Sequence, residues 1–231
     1  MSMLDHLYLP KTIFKTHSDI NGDIVVTEEG SVKRIKVANT TQSMNWDAKI
    51  VQKMYWGKSI ALLKEHAPDL NNILILGLGG GTLAHLISQA YPGITIYSVE
   101  IDKEVVDISR KFFDVDSIPN HFIYTEDACA VIANPSRFGI SKNSFDAIYV
   151  DIYCGQHYPD LGNTGTFFAG LKNLLKPDGL VLFNRLNLPE FHYEVGAFIE
   201  KVEDQFKDVI TEAAPGRDSN TNMLILGFNT A

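Results

Sequence analysis

The chain has 231 residues, 45% hydrophobic and 21% charged, with a formal net charge of -8. That is enough apolar material for one full core with a small appendage, and an acidic balance argues against nucleic acid as a partner, because phosphate neutralisation needs clustered Lys and Arg. No apolar run approaches the ~20 residues of a bilayer span, and the start lacks a charged segment followed by an apolar one, so no membrane partner and a cytoplasmic location are expected. Cys129 and Cys154 form no CxxC pair. Neither a disulfide framework nor a metal site is therefore expected.

In chain order, short alternating runs from Thr12 to Ala38 are broken by Asn21-Gly22 and Glu29-Gly30. Asn-Gly is a strong hairpin signal because both residues tolerate positive φ. The reading is a small antiparallel β unit over residues 1–45, ahead of a larger domain over 46–231. Lys33, Arg34 and Lys36 fit one solvated strand face. From Asp47 to His66 the apolar spacing predicts an amphipathic helix interrupted near Gly57 and ended by Pro68.

Strands and helices alternate beyond Asn71. Strands are predicted at Ile73–Leu76, Ile94–Val99, Phe122–Tyr124, Phe145–Val150 and Leu180–Asn184, with helices at Thr82–Ala90, Lys103–Phe113, Phe167–Leu175 and Glu190–Phe206. That rhythm demands parallel pairing with right-handed crossovers, hence a doubly wound, Rossmann-like α/β sheet. Val209–Glu212 and Asn222–Phe228 are joined by Pro215-Gly216-Arg217-Asp218. A direct turn between strands implies an antiparallel C-terminal hairpin, an ending typical of class I methyltransferase-like sheets.

The first of these strands runs into Gly77, Gly79, Gly80 and Gly81, so a ligand can approach bare backbone there. Glu100 ends the next strand, about 20 residues on, where a carboxylate can accept from two ribose hydroxyls. Ligands of such sheets sit outside the carboxyl ends of the strands, and those ends carry acids: Glu100 and Asp102, Glu126 and Asp127, then Asp151. Asp127 suits an adenine amino group, with Ala128 and Cys129 supplying backbone. Asp102 and Asp127 are equally read as helix caps. Asp151 would face the reacting centre, attracting a cationic substrate or taking its proton. Thr82 stands where GxGxxG would end, which disfavours NAD, and no GxxxxGK[ST] pattern marks a triphosphate site.

Other residues are weighed on the same footing. Tyr153 either closes over the ligand or packs under the loop that follows. His157 reads as a solvated loop residue, His85 as structural or surface, and Cys154 as no nucleophile. Trp46 and Trp56 read as core or subunit contacts.

Gln42-Ser43, Leu76 through Leu83, Val99-Glu100-Ile101-Asp102, Glu126-Asp127-Ala128, Val150-Asp151 and Leu175-Lys-Pro-Asp-Gly179 together resemble the spermidine synthase family. The likeness is greatest to its bacterial spermidine synthase-like branch with GLGGG. It implies a class I methyltransferase-like fold behind an N-terminal β unit, and transfer of an aminopropyl group from decarboxylated S-adenosylmethionine to a small-molecule amine acceptor such as a polyamine. By that resemblance Gln42, Gly77, Gly79, Gly80, Gly81, Glu100, Ile101, Asp127 and Ala128 would hold the nucleoside. Asp151 would act on the attacking amine. Tyr153 is a second catalytic candidate from its place beside Asp151, and the exposed edges of the N-terminal strands point to a homodimer through the β unit. Gly80 stands where family members carry an Asp for the donor amine, and Cys154 where a second acid reaches the polyamine. Those departures leave two alternatives: an S-adenosylmethionine-dependent methyltransferase, or a catalytically idle nucleoside-binding homologue.

Overall fold

In the computed structural model, residues 9–153, 158–159 and 164–230 are described. Two sheets make the frame. The first is antiparallel, in the order β1 (Lys11–Ser18), β2 (Gly22–Glu29), β3 (Val32–Val37) and β4 (Thr40–Met44). Gly22 and Gly30 take positive φ at the two turns that the sequence marks. The third turn uses Ala38 and Asn39, both at positive φ, so β4 follows a hairpin that carries no glycine signal and was not expected as a strand.

The second sheet has seven strands. Its core is parallel: β5 (Asn72–Leu76), β6 (Thr95–Glu100), β7 (His121–Thr125), β8 (Phe145–Val150) and β9 (Leu175–Leu186). The antiparallel hairpin of β10 (Lys207–Pro215) and β11 (Thr221–Phe228) completes the order β10-β11-β9-β8-β5-β6-β7. This is the Rossmann-like arrangement with an antiparallel ending that the pattern predicts.

Alternation along β5 shows why the strand is apolar throughout. Ile73 and Ile75 pack on one face with α1 (Tyr55–His66) and α2 (Thr82–Ala90). Leu74 and Leu76 pack on the other, with α4 (Ala128–Ala133), α5 (Gly165–Leu174) and α6 (His192–Gln205). A strand covered on both faces has no polar side to show.

The stretch 47–66 is not one interrupted helix. Residues 47–54 form turns and a short 3-10 segment, and α1 starts only at Tyr55. Gly57 lies inside α1; a Cβ there would sit 2.1 Å from the Gln52 carbonyl oxygen, so glycine permits a close approach instead of breaking the helix. The short helix α4 is the one that Asp127 caps; it is too brief to show a period, so the sequence pattern gives it no bounds.

The small sheet lies across α3 (Lys103–Phe112): Ile24, Val26, Ile35 and Val37 pack on Val105, Ile108 and Phe113. Polar ties secure it. Buried Asp102 accepts hydrogen bonds from the Ser18 hydroxyl, the Asn21 amide and the Glu104 backbone N–H. Asp102 is thus a helix cap and an anchor for the β unit.

Candidate functional site

A cavity of about 340 Å³ lies between the carboxyl ends of β5, β6, β7 and β8 and the small sheet. The β1–β2 turn reaches it through Ile20 and Asn21, and β4 through Gln42 and Ser43. The N-terminal strands therefore roof a crevice that the α/β sheet opens.

On one side stands the glycine loop. Gly77 has φ +99°, and a Cβ on it would fall 2.2 Å from the Asp151 carbonyl oxygen. Gly79 has φ +55°. Glu100 organises the turn: its Oε2 accepts from the Leu78 N–H at 3.1 Å and the Gly79 N–H at 3.4 Å, and its Oε1 from the Asp102 N–H at 3.1 Å. Burial pushes the Glu100 carboxyl upward, and these backbone donors pull it back.

Ile101, Asp127 and Ala128 continue the wall on this side. The Asp127 Oδ1 accepts from the Cys129 N–H at 2.8 Å, so the residue caps α4 while also facing the cavity. The capping reading of Asp127 holds, and the residue also lies on the cavity wall.

On the other side is Asp151, at the end of β8. Its Oδ1 accepts from the Asn184 amide at 2.7 Å and its Oδ2 from the Tyr55 hydroxyl at 3.2 Å. Burial raises the carboxyl above its ordinary range. The positive charge of Arg217 and the two hydrogen bonds offset part of that rise. Arg217, only 7% exposed, donates from Nη1 to the Gln42 carbonyl oxygen and lies 5.7 Å from the Tyr55 ring centroid.

A cradle of bare backbone beside a fixed carboxylate suits a nucleoside, and a partly buried carboxylate opposite suits a proton-bearing amine. Among the described residues no cluster of three or more His, Cys, Asp or Glu is placed to hold a metal ion, and no helix is long and apolar enough to cross a membrane.

The profile of the spermine/spermidine synthase domain matches residues 59–223. The chain belongs to the spermine/spermidine synthase family. A polyamine aminopropyltransferase of Vibrio vulnificus is 29% identical over 139 residues, 60% of this chain and 46% of that protein. One from Chromobacterium violaceum is 25% identical over 204 residues, covering 87% and 75% of the two chains. The spermidine synthase structure from Thermotoga maritima superposes with a TM-score of 0.74 at 19% identity, covering 95% of this chain and 73% of that one. The shared fold includes both sheets. The match to the Vibrio protein spans less than half of that relative's length.

Within this spermine/spermidine synthase family member, the expected glycines divide. Gly77 and Gly79 line the cavity, whereas Gly80 and Gly81 do not. A Cβ on Gly80 would point at Ser43 Oγ and the Phe113 ring, and one on Gly81 at Val115. Those two glycines let the loop pack on its neighbours; they offer no surface to a ligand there.

Tyr153 lines the cavity with its ring, but its hydroxyl is tied to β9. It donates to the Asn184 carbonyl at 3.0 Å and accepts from the Leu186 N–H. Burial raises the phenol's pKa far above its ordinary value. With its proton committed to backbone, its hydroxyl is held away from proton transfer and its ring forms a wall of the cavity. Cys154 and His157 lie outside the described residues. Of the two readings of His85, the structure selects the structural one: it is buried, bonds the Phe113 carbonyl at 2.9 Å and stacks on Trp46. Trp56 is a buried core residue that also reaches the cavity wall.

Three members of the site were not picked out from the sequence. In the sequence Tyr55 reads as a core position of a helix, and Arg217 as part of a turn. Asn184 ended a predicted strand, so the strand-end rule covered it; only acids were sought there.

Proposed function

We propose that this chain transfers an aminopropyl group from decarboxylated S-adenosylmethionine to an amine, with residues 1–45 as a β-sheet unit and 46–231 as the catalytic domain. The observation that carries the reading is Asp151, partly buried, held by Asn184 and Tyr55, upward-shifted and facing the same cavity as the Glu100-braced glycine loop. Two relatives named polyamine aminopropyltransferase support it.

The chemistry follows from the charges. Gly77 and Gly79 let the nucleoside lie on the backbone, Glu100 accepts from the ribose hydroxyls, and Asp127 accepts from the adenine amine. Asp151 binds the acceptor ammonium and takes its proton, freeing the nitrogen lone pair. That nitrogen attacks the carbon next to the sulfonium. The new C–N bond forms as the C–S bond breaks, and sulfur leaves as the neutral thioether of methylthioadenosine. Tyr153 and Trp56 form an aromatic wall of the same cavity.

The test is incubation with decarboxylated S-adenosylmethionine and a panel of amines, reading methylthioadenosine released. Product with at least one amine, lowered at least about 100-fold in Asp151→Asn, is expected. Absence of product with every amine, from protein that binds methylthioadenosine, overturns the transfer. Glu100→Gln is expected to weaken methylthioadenosine about tenfold or more, through loss of charged hydrogen bonds to the ribose. We also read the protein as a cytoplasmic homodimer joined through the N-terminal sheet, since β1 has a strand neighbour on one side only. Light scattering at working concentration tests that assembly.

A further inference from the structure

The cavity contains a cation that aminopropyl transfer does not require. Arg217 lies in the short turn between β10 and β11, almost wholly buried, and its side chain enters the cavity beside Tyr55 and Asp151. A guanidinium has five N–H donors. Among the described residues its one hydrogen bond runs from Nη1 to the Gln42 carbonyl. Asp151 feels its charge, yet the two form no ion pair within 4.0 Å, and Asp151's own oxygens are taken by Asn184 and Tyr55. None of its remaining donors is a buried atom without a partner, so they face the open cavity, where a ligand can take them.

Its position is fixed from both sides. A Cβ on Gly216 would meet Asn222 Oδ1 at 2.1 Å, so the turn is packed tightly against β11. Asp218 holds the buried Thr41 of β4 through two hydrogen bonds. The cation is therefore held at the site and is not a surface side chain that happens to reach inward. For a substrate carrying ammonium groups alone, Arg217 opposes what Asp151 attracts. A substrate with an ammonium and a carboxylate finds a complementary partner for each.

We propose that Arg217 determines specificity by binding a carboxylate of a substrate in this cavity, while Asp151 takes an amine. The proposal rests on the reading of the cavity as a nucleoside-and-amine site. The carboxylate has two possible sources: an amino-acid-like acceptor, or the methionyl end of intact S-adenosylmethionine. A planar guanidinium fork matches a carboxylate in either case.

Two pairs of probes differ by a single carboxylate: ornithine against putrescine, and S-adenosylmethionine against its decarboxylated form. Calorimetric titration of each pair, with methylthioadenosine present for the acceptors, reads the preference directly. The wild-type protein is expected to favour the carboxylate-bearing member of at least one pair by about tenfold or more. Arg217→Gln is expected to erase that preference, with a melting temperature close to the wild type's confirming an intact fold. Preference confined to the acceptor pair assigns the carboxylate to the acceptor; preference confined to the donor pair assigns it to S-adenosylmethionine. No preference in either pair overturns the proposal without any variant, as does a preference that survives in Arg217→Gln. If methylthioadenosine itself fails to bind, the nucleoside reading falls, and the acceptor pair titrated alone still decides the role of Arg217.

Discussion

Asp218 and Thr41, 177 positions apart, are joined twice: the carboxylate accepts from the Thr41 N–H and from its hydroxyl, each at 2.8 Å. This links the last hairpin of the large sheet to the last strand of the small one, beside Arg217 and Gln42. Asp218 also holds a left-handed φ of 50°. Asp218→Ala removes both bonds and puts Cβ-bearing alanine in a conformation that Asp tolerates better. Because Asp218 is exposed, the expected loss is modest, about 1–2 kcal/mol. Thermal unfolding should show it, and methylthioadenosine binding should weaken with it as the roof loosens. An unchanged melting temperature would show that the link contributes nothing.

Asp151 sets function against stability. Its carboxyl pKa is raised in the folded state, chiefly by burial. The folded protein thus holds the proton more tightly than the unfolded chain, and stability is lost as pH rises from the unfolded value through the folded one. At neutral pH the ionised group is a net cost. Asp151→Asn keeps the shape and one acceptor oxygen while removing the charge, so it should unfold at a higher temperature at pH 7 yet lose turnover. The gain should vanish at a pH low enough to protonate the wild-type carboxyl. A lower melting temperature for Asp151→Asn at pH 7 would contradict the sign.

The fold was legible because its signals are local: four apolar residues in β5 flow into the glycine turn, and the alternation of strands and helices leaves parallel pairing as the solution. Glu100, Asp127 and Asp151 were legible for a related reason, since topology places strand ends together whatever the distance in sequence. The rest depended on contacts that no spacing encodes. Arg217 reaches the cavity only because Asp218 pulls its turn against β4. Tyr153 loses its hydroxyl to β9 because of where the chain turns after β8. Gly80 and Gly81 look the same as Gly77 in sequence, and only the neighbours Phe113 and Val115 distinguish them.

Arg217 and Asp151 should also be coupled in the pH profile. The positive charge of Arg217 lowers the Asp151 pKa against the rise caused by burial. If Asp151 must be ionised to accept a proton, kcat/KM falls on the acid side as that carboxylate is protonated. Removing the cation in Arg217→Gln lets the pKa rise further, so the acid limb should move to higher pH. Profiles measured for the wild type and the variant with the same amine check this. An acid limb that stays in place, or moves to lower pH, would show that Arg217 does not act on Asp151.

The two glycines Gly77 and Gly80 separate a close approach from ordinary packing. At Gly77 the backbone has φ +99°, and the atom that a Cβ would meet at 2.2 Å is a backbone oxygen of Asp151, itself fixed by the Asp151 N–H bond to Leu76 at 2.8 Å. Neither side can yield without parting β5 from β8. Gly77→Ala is therefore expected to cost roughly 3 kcal/mol or more and to abolish methylthioadenosine binding. At Gly80 the φ is unstrained, and the nearest atoms are the Ser43 hydroxyl at 3.0 Å and the Phe113 ring at 3.1 Å. Side chains can shift by a few tenths of an ångström, so Gly80→Ala should cost about 1 kcal/mol and leave nucleoside affinity nearly unchanged. Paired unfolding curves and methylthioadenosine titrations distinguish the two. Equal losses at both positions would mean that the whole loop, and not its first turn, sets the shape of the nucleoside cradle.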